Sequence, residues 1–244
     1  MKHIFKSVVA KVFNRKTRDN KIKDDENQLV FIHIGKCGGS SLWDAINNSS
    51  LVRKQFTRLH KVHMGKPPIL EKSKYLIVIR NPISRAVSAF NWRYKLVVED
   101  EVQRHRFEGE WKILSKYKTL NTMAEALYKN DELNEKVARE FQSIHHLKEN
   151  IGFYLQDLLE HLTPEQLFGV LSTETLSEDV RHQLGVTSLK RTYENGKYVN
   201  NDKMYLSELA YENLRKYLLA DYQCLEKLVG LKSLTVCDKK RLLQ

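Results

Sequence analysis

The sequence predicts a three-layer α/β domain: a central, mostly parallel sheet flanked by helices, with helices outnumbering strands. Residues 29–34 (LVFIHI) and 75–79 (YLIVI) are short, nearly continuous apolar runs, the pattern of strands covered on both faces. Each run is followed at once by turn residues and a helical pattern, the order that builds parallel sheets. With four prolines, ten glycines and no internal repeat, the body reads as one domain over residues 28–244.

Taken in order, residues 1–27 form a basic tail and linker. Ile4, Phe5, Val8, Val9, Val12 and Phe13 recur at helical spacing among Lys2, Lys6, Lys11 and Arg15. That is the pattern of a helix on an anionic membrane surface, with a disordered basic leader as the alternative. Residues 14–28 are polar and read as a linker. After the strands at 29–34 and 75–79, residues 167–171 are a weaker third strand. Asn121 is placed as the cap of a helix through Met123 to Tyr128, and Thr163-Pro164-Glu165 combines a cap, a first-turn proline and an acid. Ser207 caps one long C-terminal helix with Leu214, Leu218, Leu225 and Leu228 on one side, ending near Gly230.

At 244 residues with 41% hydrophobic content, the chain can bury a real core. The formal net charge is +11, which points to an anionic partner. Residues 1–23 hold eight Lys/Arg against one acid, so +7 of that charge lies in the tail. A mildly basic body argues against nucleic acid, which needs cations and stacking aromatics gathered on one folded face. Cys37, Cys224 and Cys237 are odd in number and lack metal-ligand spacing, which favours a reducing compartment. No apolar run approaches the roughly 20 residues needed to span a bilayer. Together these lead to the expectation of a cytoplasmic protein, peripheral to the inner face of the membrane if its tail binds there.

Function is most legible at HIGKCGGSSL, residues 33–42, where the first strand gives way to a helix. A helix N-terminus presents unpaired N–H groups and positive dipole, and a tight glycine turn feeding it forms a phosphate cradle. Gly38 and Gly39 permit close backbone approach, Ser40 and Ser41 add hydroxyls, and Lys36 adds a full charge. The loop is P-loop-like, yet Lys36 precedes both glycines, whereas the nucleotide-triphosphate loop places its lysine after them. After the second strand comes RNPISRAVSAFNW, residues 80–92: an arginine at the strand end, a helix-opening proline, and Ser88 eight residues on. Arg80 and Ser88 can hold a second phosphate from its other side.

HIGKCGGSSL resembles the 5'-phosphosulfate loop of sulfotransferases that use 3'-phosphoadenosine 5'-phosphosulfate (PAPS), and RNPISRAVSAFNW resembles their 3'-phosphate motif. The likeness is strongest to the carbohydrate sulfotransferases, of the heparan-sulfate type and their bacterial counterparts, and is specific over residues 29–92. VLSTETLSEDVRHQLG and YVNNDKMYLSELAYENLRKYLLADYQ resemble the family's later segments more loosely. Two departures stand out: Gly35 replaces a proline, which should loosen the start of the loop, and Cys37 replaces a threonine. Cys37 is either a small residue in the cradle or a thiol activated by the helix terminus.

The resemblance implies an in-line sulfuryl transfer from PAPS to a hydroxyl of a carbohydrate or glycolipid, with no metal required. Lys36 would stabilise the leaving phosphate. Gly35, Lys36, Cys37, Gly38, Gly39, Ser40 and Ser41 would hold the 5'-phosphate side of the donor, and Arg80 and Ser88 the 3'-phosphate. Lys190, Arg191 and Lys197 resemble the late loop that closes over the nucleotide, with Arg191 a further donor to the 3'-phosphate; a solvated basic turn explains them equally well. The acceptor needs a base, and histidine suits working pH. His63 is placed first and His60 second, in the segment between the two motifs where relatives carry their catalytic histidine. His33 reads as a hydrogen-bonded core residue, and His145-His146 as part of a helix, one of the two facing the acceptor. Arg85, Trp92 and Arg93 are placed along the cofactor or acceptor cleft, with a helix face packed on the sheet explaining Trp92 equally well. The competing readings are a nucleotide-dependent kinase, which would want an acid rather than Arg80 at the strand end, and a non-catalytic anion- or membrane-binding protein.

Overall fold

The computed structural model describes residues 22–187, 204–231 and 242–243. The two strong apolar runs become β1 (Gln28–His33), buried along its whole length, and its neighbour in the sheet (Lys74–Ile79), buried but for its first residue. Between them lie α1 (Gly39–Asn48), α2 (Ser50–Gln55) and a strand the sequence had not announced, β2 (Arg58–Val62); the run from Lys74 is therefore β3. β2 is missed because it is an edge strand: Arg58 and Lys61 face solvent and only Val62 is buried, so no apolar run marks it.

α3 (Pro82–Tyr94) starts as its sequence dictates, with Asn81 as the cap accepting from the Ser84 N–H at 3.0 Å and Pro82 in the first turn, and it runs into a π-helical turn at Lys95–Glu99. Then come α4 (Glu110–Tyr117), α5 (Leu120–Glu125), the two-residue strands β4 (Tyr128–Lys129) and β5 (Glu132–Leu133), α6 (Glu135–Gln142), α7 (Ile151–Leu155), β6 (Leu167–Ser172), α8 (Leu176–Leu184), α9 (Glu208–Tyr217) and α10 (Leu219–Leu231).

The main sheet has the order β2-β1-β3-β6 with every neighbouring pair parallel. All four strands therefore end on one edge. From β1 the chain first builds β2 on one side and then crosses to build β3 on the other, so the crevice between the ends of β1 and β3 is the topological switch point where open α/β sheets bind ligands. One apolar core surrounds this sheet, and a second joins α3 to α4, α5, α6 and α9.

Several local expectations need correction. Thr119, not Asn121, caps α5, and Asn121 instead accepts from the Ser207 N–H at 2.7 Å. That helix stops at Glu125, leaving Tyr128 in β4. The single C-terminal helix is two, broken at Leu218, with the buried Asp221 turned inward to accept from the N–H groups of Ile151 (3.2 Å) and Gly152 (2.8 Å) at the start of α7. Thr163-Pro164-Glu165 opens a 3-10 turn, closed by a capping box with Gln166, that leads straight into β6. Part of the segment read as linker is tied to the body: the Asp24 carboxylate accepts from the N–H groups of Glu71, Lys72 and Ser73 at 2.9 to 3.1 Å. Residues 1–21, with the amphipathic pattern, lie outside the described residues, as do Lys190, Arg191, Lys197 and Cys237. Among the described residues, no helix is long and apolar enough to cross a membrane.

Candidate active site

The loop after β1 is shaped by contacts that leave no room for side chains. Gly38 caps α1 with φ 77, a left-handed backbone that suits glycine. Gly39 is required for a different reason: a Cβ there would stand 2.0 Å from Cδ2 of the His33 ring. The Cys37 N–H closes the turn onto the Ile34 carbonyl at 3.3 Å, so the cradle's helix-terminal amides begin beyond it. Ser40 and Ser41 lie in the first turn of α1. The Cys37 side chain is fully buried, and burial pushes its thiol up to about 12, which favours a small residue packed in the cradle over an activated nucleophile.

Lys36 itself has φ 71, an uncommon conformation for a side-chain-bearing residue. Its Nζ sits 4.5 Å from the centroid of the Trp92 ring, which puts Trp92 beside the loop, and its carbonyl accepts from Arg80 Nη1 at 3.2 Å. Burial first, and then the Arg80 guanidinium, hold the Lys36 pKa down at about 8. The two motifs read separately in the sequence are thus bonded to each other across the switch point.

Arg80 follows β3 directly, and Ser88 lies on α3 with its Oγ buried and without a hydrogen-bond partner, the sort of orphan that a ligand oxygen would satisfy. The corner is fixed by Glu174, which the sequence did not single out. Its Oε1 accepts from the Asn81 N–H at 2.9 Å and its Oε2 from Ser172 Oγ at 2.5 Å, while Thr173 Oγ1 donates to the Ile79 carbonyl at 3.0 Å. These bonds lock the end of β6 to the end of β3.

His63 follows β2 and donates from Nδ1 to the carbonyl of His33 at 3.0 Å, its ring stacked on that of His33 at 4.2 Å. Part of the residue is open to solvent. Desolvation of the remainder, with Lys61 nearby, lowers its pKa below the ordinary histidine value, against the opposing pull of the bond to His33. His60 is not brought to this group. Lys61 pairs in register with Phe31 and lies over Trp43, on the face that carries Phe31 and His33, so strand alternation puts His60 on the opposite face beside Val30. His33 is buried, as expected, but its Nδ1 has no hydrogen-bond partner, and burial pushes its pKa down to about 3.

The remaining corrections concern charges. Arg93 does not line the cleft: it is buried in a two-pronged pair with Glu110, Nε to Oε1 at 2.9 Å and Nη2 to Oε2 at 2.6 Å. Arg85 is buried too, donating to the carbonyls of His146 and Glu149. His145 and His146 sit in a turn between α6 and α7, not in a helix, and the His146 ring packs against Gly35: a Cβ on that glycine would lie 2.6 Å from Nδ1. The space beside Gly35 is therefore filled by the His146 ring. The sequence singles out the His145-His146 pair but not the left-handed φ of 69 at His146 or its contact with Gly35, which depends on residues more than 100 positions apart.

A family model described as the Sulfotransferase family matches residues 19–227. No curated protein matches the chain.

Proposed function

The chain belongs to the sulfotransferase family, a family of sulfuryl-transferring enzymes, and on that footing we propose that it transfers the sulfuryl group of PAPS to a hydroxyl of a carbohydrate or glycolipid. The observation that carries the donor reading is the Arg80–Lys36 bond at the switch point, which joins a glycine cradle to a strand-end guanidinium. The residues fit such a donor: a left-handed Gly38 opening the helix terminus, two cations, and the unpartnered Ser88 Oγ. Arg80 and Ser88 bind the 3'-phosphate, the α1 terminus binds the 5'-phosphate, and Lys36 stabilises charge on the leaving group. With its Nδ1–H committed to the His33 carbonyl, His63 keeps Nε2 as an acceptor, the form a general base needs.

The test is calorimetric binding of 3'-phosphoadenosine 5'-phosphate in metal-free buffer, with ADP and ATP as controls. Arg80→Ala is expected to weaken binding about 10- to 100-fold, the size of a lost charge-assisted contact, and to erase the preference over ADP. Indifference to the 3'-phosphate, or binding of ATP alone and only with magnesium, would reject the donor and favour a kinase.

His63→Ala should cut turnover by roughly 10²- to 10⁴-fold, measured as transfer from radiolabelled donor to a saccharide panel. The sign of its pH dependence follows from its role. The base works when neutral, so activity rises with pH through a value below 6.5, and that acid limb should vanish in His63→Ala but persist in His60→Ala. Retention of the limb in His63→Ala would remove His63 from the mechanism. The cytoplasmic location and the docking of the tail on anionic membrane belong to the same proposal, and fractionation of cells expressing the full chain tests both.

A further inference from the structure

The turn at residues 143–150 is held by polar and charged groups from several elements. His146 takes a left-handed backbone, uncommon for a residue with a side chain though histidine tolerates it better than most, and such a conformation persists where its surroundings over-determine it. Here they do so from several elements. Arg85 Nη2, from α3, donates to the His146 carbonyl at 2.6 Å and to that of Glu149. The His146 N–H donates to Glu149 Oε2 at 2.9 Å, and His145 Nδ1 approaches the same oxygen at 3.1 Å. Glu110 Oε1, from α4, accepts from the His145 N–H at 2.9 Å.

What this clamp delivers is one ring. His146 lies against Gly35, with its buried Nδ1 unpartnered and aimed at the space a side chain there would occupy. The next residue is Lys36, itself left-handed. Around the His146 ring stand Lys36 from the loop, His63 after β2 with ring centroids 6.4 Å apart, His145 at 4.1 Å, Arg85 from α3, and Glu149. Burial, reinforced by His145, Lys36, Arg85 and His63, drives the His146 pKa far below the ordinary value, so the ring stays neutral and acts by its volume rather than by charge.

We propose that His146 is a positioning residue for Lys36: its ring, pressed on Gly35 by the clamped turn, holds the loop in its left-handed form and keeps water from the inner side of the lysine. This rests on the reading above that Lys36 is the group acting on the donor.

The experiment titrates Lys36 directly in the full chain, by brief acetic anhydride labelling across a pH series read by mass spectrometry of the Lys36 peptide. The wild-type midpoint is expected near 8. His146→Asn keeps a residue that tolerates the left-handed turn but removes the ring, and should raise the midpoint by about one pH unit as water reaches the lysine. His146→Phe, which restores a ring without nitrogen, should return it close to wild type. A wild-type midpoint at the ordinary lysine value overturns the proposal before any variant is made. So does an unmoved midpoint in a cooperatively melting His146→Asn, or a His146→Phe that shifts as far as His146→Asn. The titration uses neither donor nor acceptor, so this proposal can fail while 3'-phosphoadenosine 5'-phosphate still binds, and the donor reading can fail while the midpoint shift stands.

Discussion

Lys36→Ala is expected to lower turnover by about 10²- to 10³-fold, the scale seen when one preorganised donor is removed from the charge that develops in a transition state. The lysine is held over Trp92 and its carbonyl is fastened to Arg80, so its charge is positioned at the cradle before any ligand arrives. The pH profile gives the sharper check. Lys36 acts when charged, and its pKa is held down at about 8 by burial, so kcat/KM, which reports the free enzyme, should fall as pH rises through that value. With donor bound, its phosphates favour the ammonium, so the same limb in kcat should move upward. Lys36→Arg keeps a charge that does not titrate in this range, in a plane that cannot replace a point charge. It should therefore lose turnover and lose the alkaline limb together. An alkaline limb near 8 that survives in Lys36→Arg would assign it to another group.

The parts of the fold that could be read from the sequence are those whose physics is local. β1 and β3 show themselves because both faces are buried and the residues are uniformly apolar; α3 shows itself because Asn81 and Pro82 are adjacent. β2 is hidden because an edge strand with Arg58 and Lys61 outward has no pattern that distinguishes it from a loop. The helix break at Leu218 is equally hidden: no glycine or proline marks it, and it is accompanied by Asp221 reaching amides some 70 residues away in sequence. The site divides the same way. Lys36, Arg80 and Ser88 follow from a cation or hydroxyl at a strand end or on the helix after it. Glu174, Arg85, Glu110 and His146 gain their meaning only from partners that the sheet brings together, as when Glu110 meets His145 across 35 positions.

Glu110→Ala is expected to destabilise the fold by about 3–5 kcal/mol, because it leaves the Arg93 guanidinium buried without a counter-charge. The pair is almost wholly enclosed, with side-chain exposures of 2% and 0%, so solvent cannot take over the role of the missing carboxylate. Gln103 Oε1, which accepts from Arg93 Nη1 at 2.6 Å, is neutral and only partly compensates. For a domain of this size each kcal/mol moves the melting temperature by roughly 2–4 °C, so a fall of about 6–20 °C should be seen by calorimetry. Arg93→Met with Glu110→Leu removes both charges, and buried pairs replaced by apolar residues of similar volume often lose little stability. That double variant should recover most of the melting temperature, yet it still deprives the His145 N–H of its acceptor and so loosens the turn that carries His146. Stability and the Lys36 midpoint should then separate: the first restored, the second still raised. A Glu110→Ala protein melting within about 2 °C of wild type would mean that the pair contributes little, and the clamp on the His145–His146 turn would have to rest on Arg85 and Glu149 alone.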